Sequence, residues 1–178
     1  MAERVHPLAD SAASSPDCAS VRLLLVPPLT RFLVRAGSDA TAAIGKAIGV
    51  PLPITPCRTN GSKDRVALWL GPDEWLVIAD EDVSLPVPQP MTSIIDVSHA
   101  FTGIAVHGPR AAWTINAFCA LDLDLSAFPV GMCTRTVLGK AQIILWRLDA
   151  ELFRIEVARS FARYVWDLLE EARCEFLV

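Results

Sequence analysis

Three short stretches of the sequence hold residue types that could do chemistry. In "LWLGPDEWLVIAD", residues 68–80, the adjacent carboxylates Asp73 and Glu74 could divide acid and base work if their environments set their protonation apart. In "DVSH", Asp96, Ser98 and His99 could form an acid–imidazole–hydroxyl relay. His107, just before Gly108-Pro109, could stand at a helix mouth where an anion binds. Each has a plainer reading, which we adopt. Pro72 presets the backbone, Gly71 permits unusual angles and Asp73 suits a bend, so the carboxylate pair reads as the polar tip of a hairpin. Three neighbours in sequence rarely converge on one point, so DVSH reads as a turn entering a strand, with Asp96 or Ser98 bonded to local amides. His107 reads as the end of a strand. No GxGxxG or GxxxxGK[ST] cradle occurs, and Cys18, Cys57, Cys119, Cys133 and Cys174 form no CxxC pair. No catalytic, cofactor-binding or metal-ligating residue is therefore expected in this chain.

The elements that would position these residues can be read in order. Residues 1–20, rich in Ala, Ser, Pro and Asp, are expected to be a flexible N-terminal arm. "RFLVRA" alternates, with Phe32 and Val34 on one face and Arg31, Leu33 and Arg35 on the other, which predicts a strand. "GSDATAAIGKAIGV" predicts a helix capped by Ser38 and ended by Gly49. A loop, "PLPITPCRTNGSKD", leads to the hairpin already quoted, and the three prolines of "EDVSLPVPQP" mark a linker at 81–90. Then the order recurs: the strand "FTGIAVH", the helix "PRAAWTINAFCA" and the hairpin "QIILWRLDAELFRIEVA". Trp69 matches Trp146 at an offset of 146 − 69 = 77, as Leu68 matches Leu145 and Ile78 matches Ile155. The expectation is an α+β domain over 21–178, mainly antiparallel, built of two βαββ halves at about 21–80 and 91–178.

Composition limits the partners. Hydrophobic residues make up 52% and mean hydropathy is +0.38, which predicts apolar surface that meets another protein. The net charge of −4 and dispersed basic residues argue against nucleic acid. No apolar run approaches the roughly 18 residues of a membrane span. An odd cysteine count and no secretion signal predict reduced thiols in the cytoplasm.

"LWLGPDEWLVIAD", "IIDVSHAFTGIAVHGPRAAW" and "RLDAELFRIEVARSFARYVWDLLEEA", with "LDLDLSAFPVG" between them, resemble the gamma-subunit family of heterotetrameric sarcosine oxidase. The resemblance spans about residues 25–175. It implies a folate-binding-like fold related to aminomethyltransferases and membership of a complex that oxidises sarcosine to glycine, hydrogen peroxide and a formaldehyde equivalent. It further implies that FAD, FMN, NAD and tetrahydrofolate belong to partner subunits. The gamma chain is then accessory, resting on the alpha subunit within a complex that also holds beta and delta. Where aminomethyltransferase-like sequences carry an acidic pair, this one reads Gly139-Lys140-Ala141-Gln142-Ile143-Ile144. An amide cannot take up a proton as a carboxylate does. The alternative, a free-standing folate-binding one-carbon transfer protein, would need those acids.

The helix "SFARYVWDLLEEARCEFL" has an apolar stripe at Phe161, Val165, Leu168, Leu169 and Ala172, with Ser160 as its N-cap. That wheel sets Trp166 at the rim beside Arg173, with Arg163 nearby on the polar side. Trp166, Arg163 and Arg173 are thus the candidate partner contacts, and the other reading folds Trp166 over its own domain.

Overall fold

In the computed structural model, which describes residues 6–16, 18–62, 64–80 and 92–176, the N-terminal arm is not loose over its described part. Leu8 is fully buried in a hydrophobic core, and a short helix, α1 (Ala9–Ala13), follows it. The first strand, β1 (Arg22–Leu25), comes next, where sequence reading had found no strand.

The chain then forms β2 (Thr30–Ala36), α2 (Ser38–Ile48), β3 (Thr59–Gly61), β4 (Arg65–Gly71) and β5 (Glu74–Ala79). A second passage gives β6 (Thr92–Asp96), β7 (Phe101–His107), α3 (Ala111–Asn116), β8 (Cys133–Leu138), β9 (Ala141–Asp149), β10 (Leu152–Ala158) and α4 (Ala162–Arg173). The linker expected at 81–90 lies outside the described residues. Every strand pair is antiparallel, in two five-stranded sheets ordered β1-β7-β10-β9-β8 and β3-β4-β5-β2-β6. The mixed α+β class with repeated halves is as expected; the boundaries are not.

Two compact units result, Met1–Pro28 with Ala100–Val178, and Leu29–His99, instead of halves meeting at the linker. The reason lies in the leading strands. β1 precedes β2 in sequence but pairs with β7, and β6 precedes β7 but pairs with β2. Each sheet therefore takes its edge strand from the other passage of the chain.

The repeat is real, but its register differs by one residue from the expected match. Both hairpins carry a bulge at the same place, between Trp69 and Gly71 and opposite the step from Leu152 to Phe153. Counted from the turns, Ala67↔Val77 corresponds to Leu145↔Ile155, an offset of 145 − 67 = 78. Trp69↔Trp75 then corresponds to Arg147↔Phe153, so the counterpart of Trp69 is Arg147 and not Trp146. Side chains alternate across a sheet, so a slip of one residue exchanges its faces. Where the first hairpin sets two tryptophans side by side, the second sets the Arg147 guanidinium 4.5 Å from the Phe153 ring centre.

Each unit has its own core. In Leu29–His99 it joins Phe32, Val34, Ala67, Trp75 and Val77 to Ile44 and Ile48 of α2. Trp75 is buried and donates its indole N–H to the Pro53 carbonyl at 2.8 Å, which removes the cost of an unpaired buried donor. Ser38 is the first residue of α2 and makes no cap bond; the cap position is Gly37. Gly49 does end the helix, at φ 80°, a left-handed conformation that glycine adopts at no steric cost. In the other unit Ile104, Val106, Leu145, Phe153, Ile155 and Val157 pack with Val165, Trp166 and Leu169 of α4.

Candidate functional site

The residues that could have done chemistry sit where backbone geometry needs them. Pro72 and Asp73 form the turn between β4 and β5, and Asp73 pairs with Arg35 at 2.9 Å, both side chains more than half exposed. An exposed pair of this kind contributes about 0–1 kcal/mol. The double change Asp73→Asn with Glu74→Gln is accordingly expected to shift stability by less than about 1 kcal/mol in a thermal melt. Asp96 accepts the Ser98 backbone N–H at 2.8 Å, and the Ser98 hydroxyl accepts the Arg31 N–H at 2.9 Å. That serine joins β2 to the chain after β6, and no relay forms. His99 and His107 are both exposed, His107 at the end of β7.

The three candidate contacts separate. Trp166 is 1% exposed and belongs to the core, so the rim position is corrected and the fold-back reading holds. Arg159–Phe161 is a 3-10 turn and α4 begins at Ala162, with Phe161 and not Ser160 at its cap position. The buried stripe is Ala162, Val165, Trp166, Leu169 and Arg173; of the expected stripe, Leu168 and Ala172 are half-buried and Phe161 is 43% exposed. Arg173 is also buried. It donates to Glu170 at 2.6 Å and to the Pro16 carbonyl at 2.7 Å, and it bonds the Ser15 hydroxyl, fastening the arm to α4. Only Arg163 lies at the surface, paired with Asp167 one helical turn on.

Sequence reading missed a different tryptophan. On α3 the buried residues are Ala111, Thr114 and Ile115, so Trp113 projects from the opposite side and is 67% exposed. The helical wheel carries that signal once the helix is known to have only six residues. Beside Trp113 lies a groove of about 470 Å³ lined by Asn116, Leu123, Asp124, Leu125 and Arg147 among others. Arg147 is buried and donates to the carbonyls of Leu123 at 3.0 Å, Phe128 at 2.7 Å and Ala150 at 2.7 Å. Burial lowers its pKa, opposed by the Asp124 charge. The Asp124 carboxyl is held below its ordinary value, first by the Ser126 hydroxyl and then by the Ser126 N–H. This Arg147 fan organises the 121–131 loop. A second, more apolar groove of about 520 Å³ lies on the other unit, along α2 and residues 50–54.

Among the described residues, no group of three or more His, Cys, Asp or Glu could hold a metal ion, and no helix is long and apolar enough to cross a membrane. Each unit thus carries a five-stranded sheet and a surface groove, the one along α2 the more apolar.

Glycine cleavage system aminomethyltransferase T from Bartonella henselae superposes with a TM-score of 0.59 at 13% identity, over 85% of this chain and 46% of that one, which establishes a shared fold. A chain of the heterotetrameric sarcosine oxidase from Corynebacterium sp. U-96, solved in complex with pyrrole 2-carboxylate, superposes at 0.91 with 30% identity, over 98% and 97% of the two chains. Sarcosine oxidase subunit gamma from Corynebacterium sp. (strain P-1) is 31% identical over 95% of this chain and 88% of its own length. The gamma subunit from strain U-96 is 32% identical over 79% and 72%. Residues 35–175 match the family described as "Sarcosine oxidase, gamma subunit family", and the chain belongs to that family.

Proposed function

We propose that the chain is the gamma subunit of a heterotetrameric sarcosine oxidase and is an accessory, non-catalytic part of it. There it supports oxidative demethylation of sarcosine to glycine and hydrogen peroxide, the carbon leaving as a formaldehyde equivalent or as 5,10-methylenetetrahydrofolate. Its main neighbour is the alpha subunit, with beta and delta in the same complex, and FAD, FMN, NAD and tetrahydrofolate reside in the partner subunits. A cytoplasmic setting accords with five free thiols.

The start of β9 carries the non-catalytic reading. Gly139 and Lys140 make the turn, Gln142 points to solvent, and Ile143 and Ile144 are buried. By the resemblance to aminomethyltransferase-like sequences an acidic pair would stand here; a neutral amide and two hydrocarbon side chains stand instead, and these take up or give no proton.

The full chain purified alone is expected to be colourless, and to neither oxidise sarcosine nor transfer its methyl carbon to tetrahydrofolate. Expressed with the other subunits, it is expected to co-migrate with them at the mass of the heterotetramer. A stoichiometric flavin spectrum or turnover from the chain alone would overturn the accessory role, and failure to join the complex would overturn membership. In the assembled oxidase, Asp73→Asn with Glu74→Gln should leave turnover unchanged.

A further inference from the structure

We infer that Trp113 and Leu125, with the loop carboxylates Asp122 and Asp124, form the surface on which a larger subunit of the assembly seats, and that the seated segment is apolar and basic. The inference rests on the subunit role proposed above and adds to it a place and a chemistry.

Trp113 is 67% exposed and Leu125 48%, two large apolar side chains bordering the groove beside α3. The tryptophan is already held. The Arg110 guanidinium lies 5.8 Å from its ring centre and 5.7 Å from that of Phe176, so one cation is shared by two rings. An ordered side chain loses less freedom when a partner arrives, and tryptophan and arginine are enriched among the residues that dominate binding energy.

The internal repeat shows that the fold does not require this aromatic. The helices match from their cap positions, Gly37 and Arg110, at an offset of 110 − 37 = 73: Thr41 and Thr114 are both buried, and each donates its hydroxyl to the carbonyl at the cap. The residue matching Trp113 is then Ala40, half-buried against the core of its unit. A small side chain completes the same architecture in one unit. In the other a tryptophan stands in solvent.

Charge specifies the occupant. Asp122 and Asp124 are exposed on the loop that carries Leu125, and the bonds from Ser126 keep the Asp124 carboxyl ionised. Arg110 is exposed and keeps its charge on the α3 side, over the two rings, and Arg147 is buried, so the loop side of the groove, where Asp122 and Asp124 lie, presents acid. The complementary surface places an aliphatic or aromatic side chain against Trp113 and a lysine or arginine against the carboxylates. The groove along α2 also has an exposed apolar residue, Ile54 at 82%, but no carboxylate lines it to fix a register.

The test uses the reconstituted heterotetramer, with the dissociation constant of the full-length chain for the remaining subunits as readout. Trp113→Ala is expected to raise it about 30-fold or more, with an unchanged thermal midpoint for the free chain because this side chain is exposed. Leu125→Lys should weaken binding further than Leu125→Glu, since lysine repels a basic segment that glutamate attracts. Ile54→Ala should have no effect. Equal affinities for Trp113→Ala and the parent overturn the surface, as does a loss seen only with Ile54→Ala. Leu125→Glu binding more weakly than Leu125→Lys overturns the basic partner. If the unaltered chain fails to bind, the subunit role itself falls.

Discussion

Trp166→Ala is expected to destabilise the free chain by about 3–5 kcal/mol, the range measured for truncating large buried aromatics. The side chain is 1% exposed and packs in the same core as Val165, Leu169, Phe153 and Ile155. Alanine leaves a void that the sheet beneath α4 cannot fill, because packed side chains relax only in part. For a chain of 178 residues this lowers the thermal midpoint by roughly 6–20 °C. Calorimetry of the free chain reads the midpoint, and titration below the melting range reads affinity for the other subunits, which should be unchanged. A normal midpoint with weakened assembly would return this tryptophan to a partner interface.

Arg173→Met is the second large effect, at about 2–3 kcal/mol, because the buried guanidinium serves several acceptors at once and its loss leaves them unmet. Glu170, 21% exposed, would keep the Ser15 hydroxyl but lose its cation at 2.6 Å, and the Pro16 and Val21 carbonyls would lose a donor. Methionine fills much of the volume, so the loss comes from the unmet polar groups and not from a cavity. The local consequence is specific: residues 6–16 should become sensitive to protease well before β9 and β10 do. The double variant Arg173→Met with Glu170→Gln should recover part of the stability, since the uncompensated carboxylate is then gone. Uniform protease resistance in Arg173→Met would show that Leu8, and not this arginine, holds the arm.

The parts of the fold that could be read from sequence are those where local pattern and tertiary need agree. The hairpins β4–β5 and β9–β10 announce themselves as apolar runs with polar tips, and Gly49 marks the end of α2. β1 and β6 could not be read this way. They are five residues or fewer, and each gains its stability from a strand remote in sequence. The offset of 77 came from matching tryptophan to tryptophan, whereas bulges and turns set 78 and put a buried arginine opposite that expectation. Trp166 was misplaced because an apolar count includes Leu168 and Ala172, which are only half-buried, and leaves out Arg173, which is buried, so it centres the stripe on the wrong side of α4. Asp73, Glu74 and the DVSH segment were legible because turn chemistry is local. The surface around Trp113 was not, since exposure depends on how short α3 is and on where the 121–125 loop lies.

The exchange of leading strands also sets a timetable for synthesis. β1 leaves the ribosome early, but its partner β7 begins at Phe101, so its hydrogen-bonding edge waits while the intervening residues are made. At 5–20 residues per second that wait is of order 4–15 s. During it, Leu23, Leu24 and Leu25 are an unpaired apolar strand in a nascent chain, the kind of edge that other chains can capture. Pairing between such distant segments is slow even after release, because loop closure must precede the contacts that reward it. A fragment ending before residue 100 would fill the Leu29–His99 sheet and leave β1 with no partner at all. A chain cut off before β7 would therefore keep this adhesive apolar edge, and the edge closes only once β7 emerges to claim its neighbour.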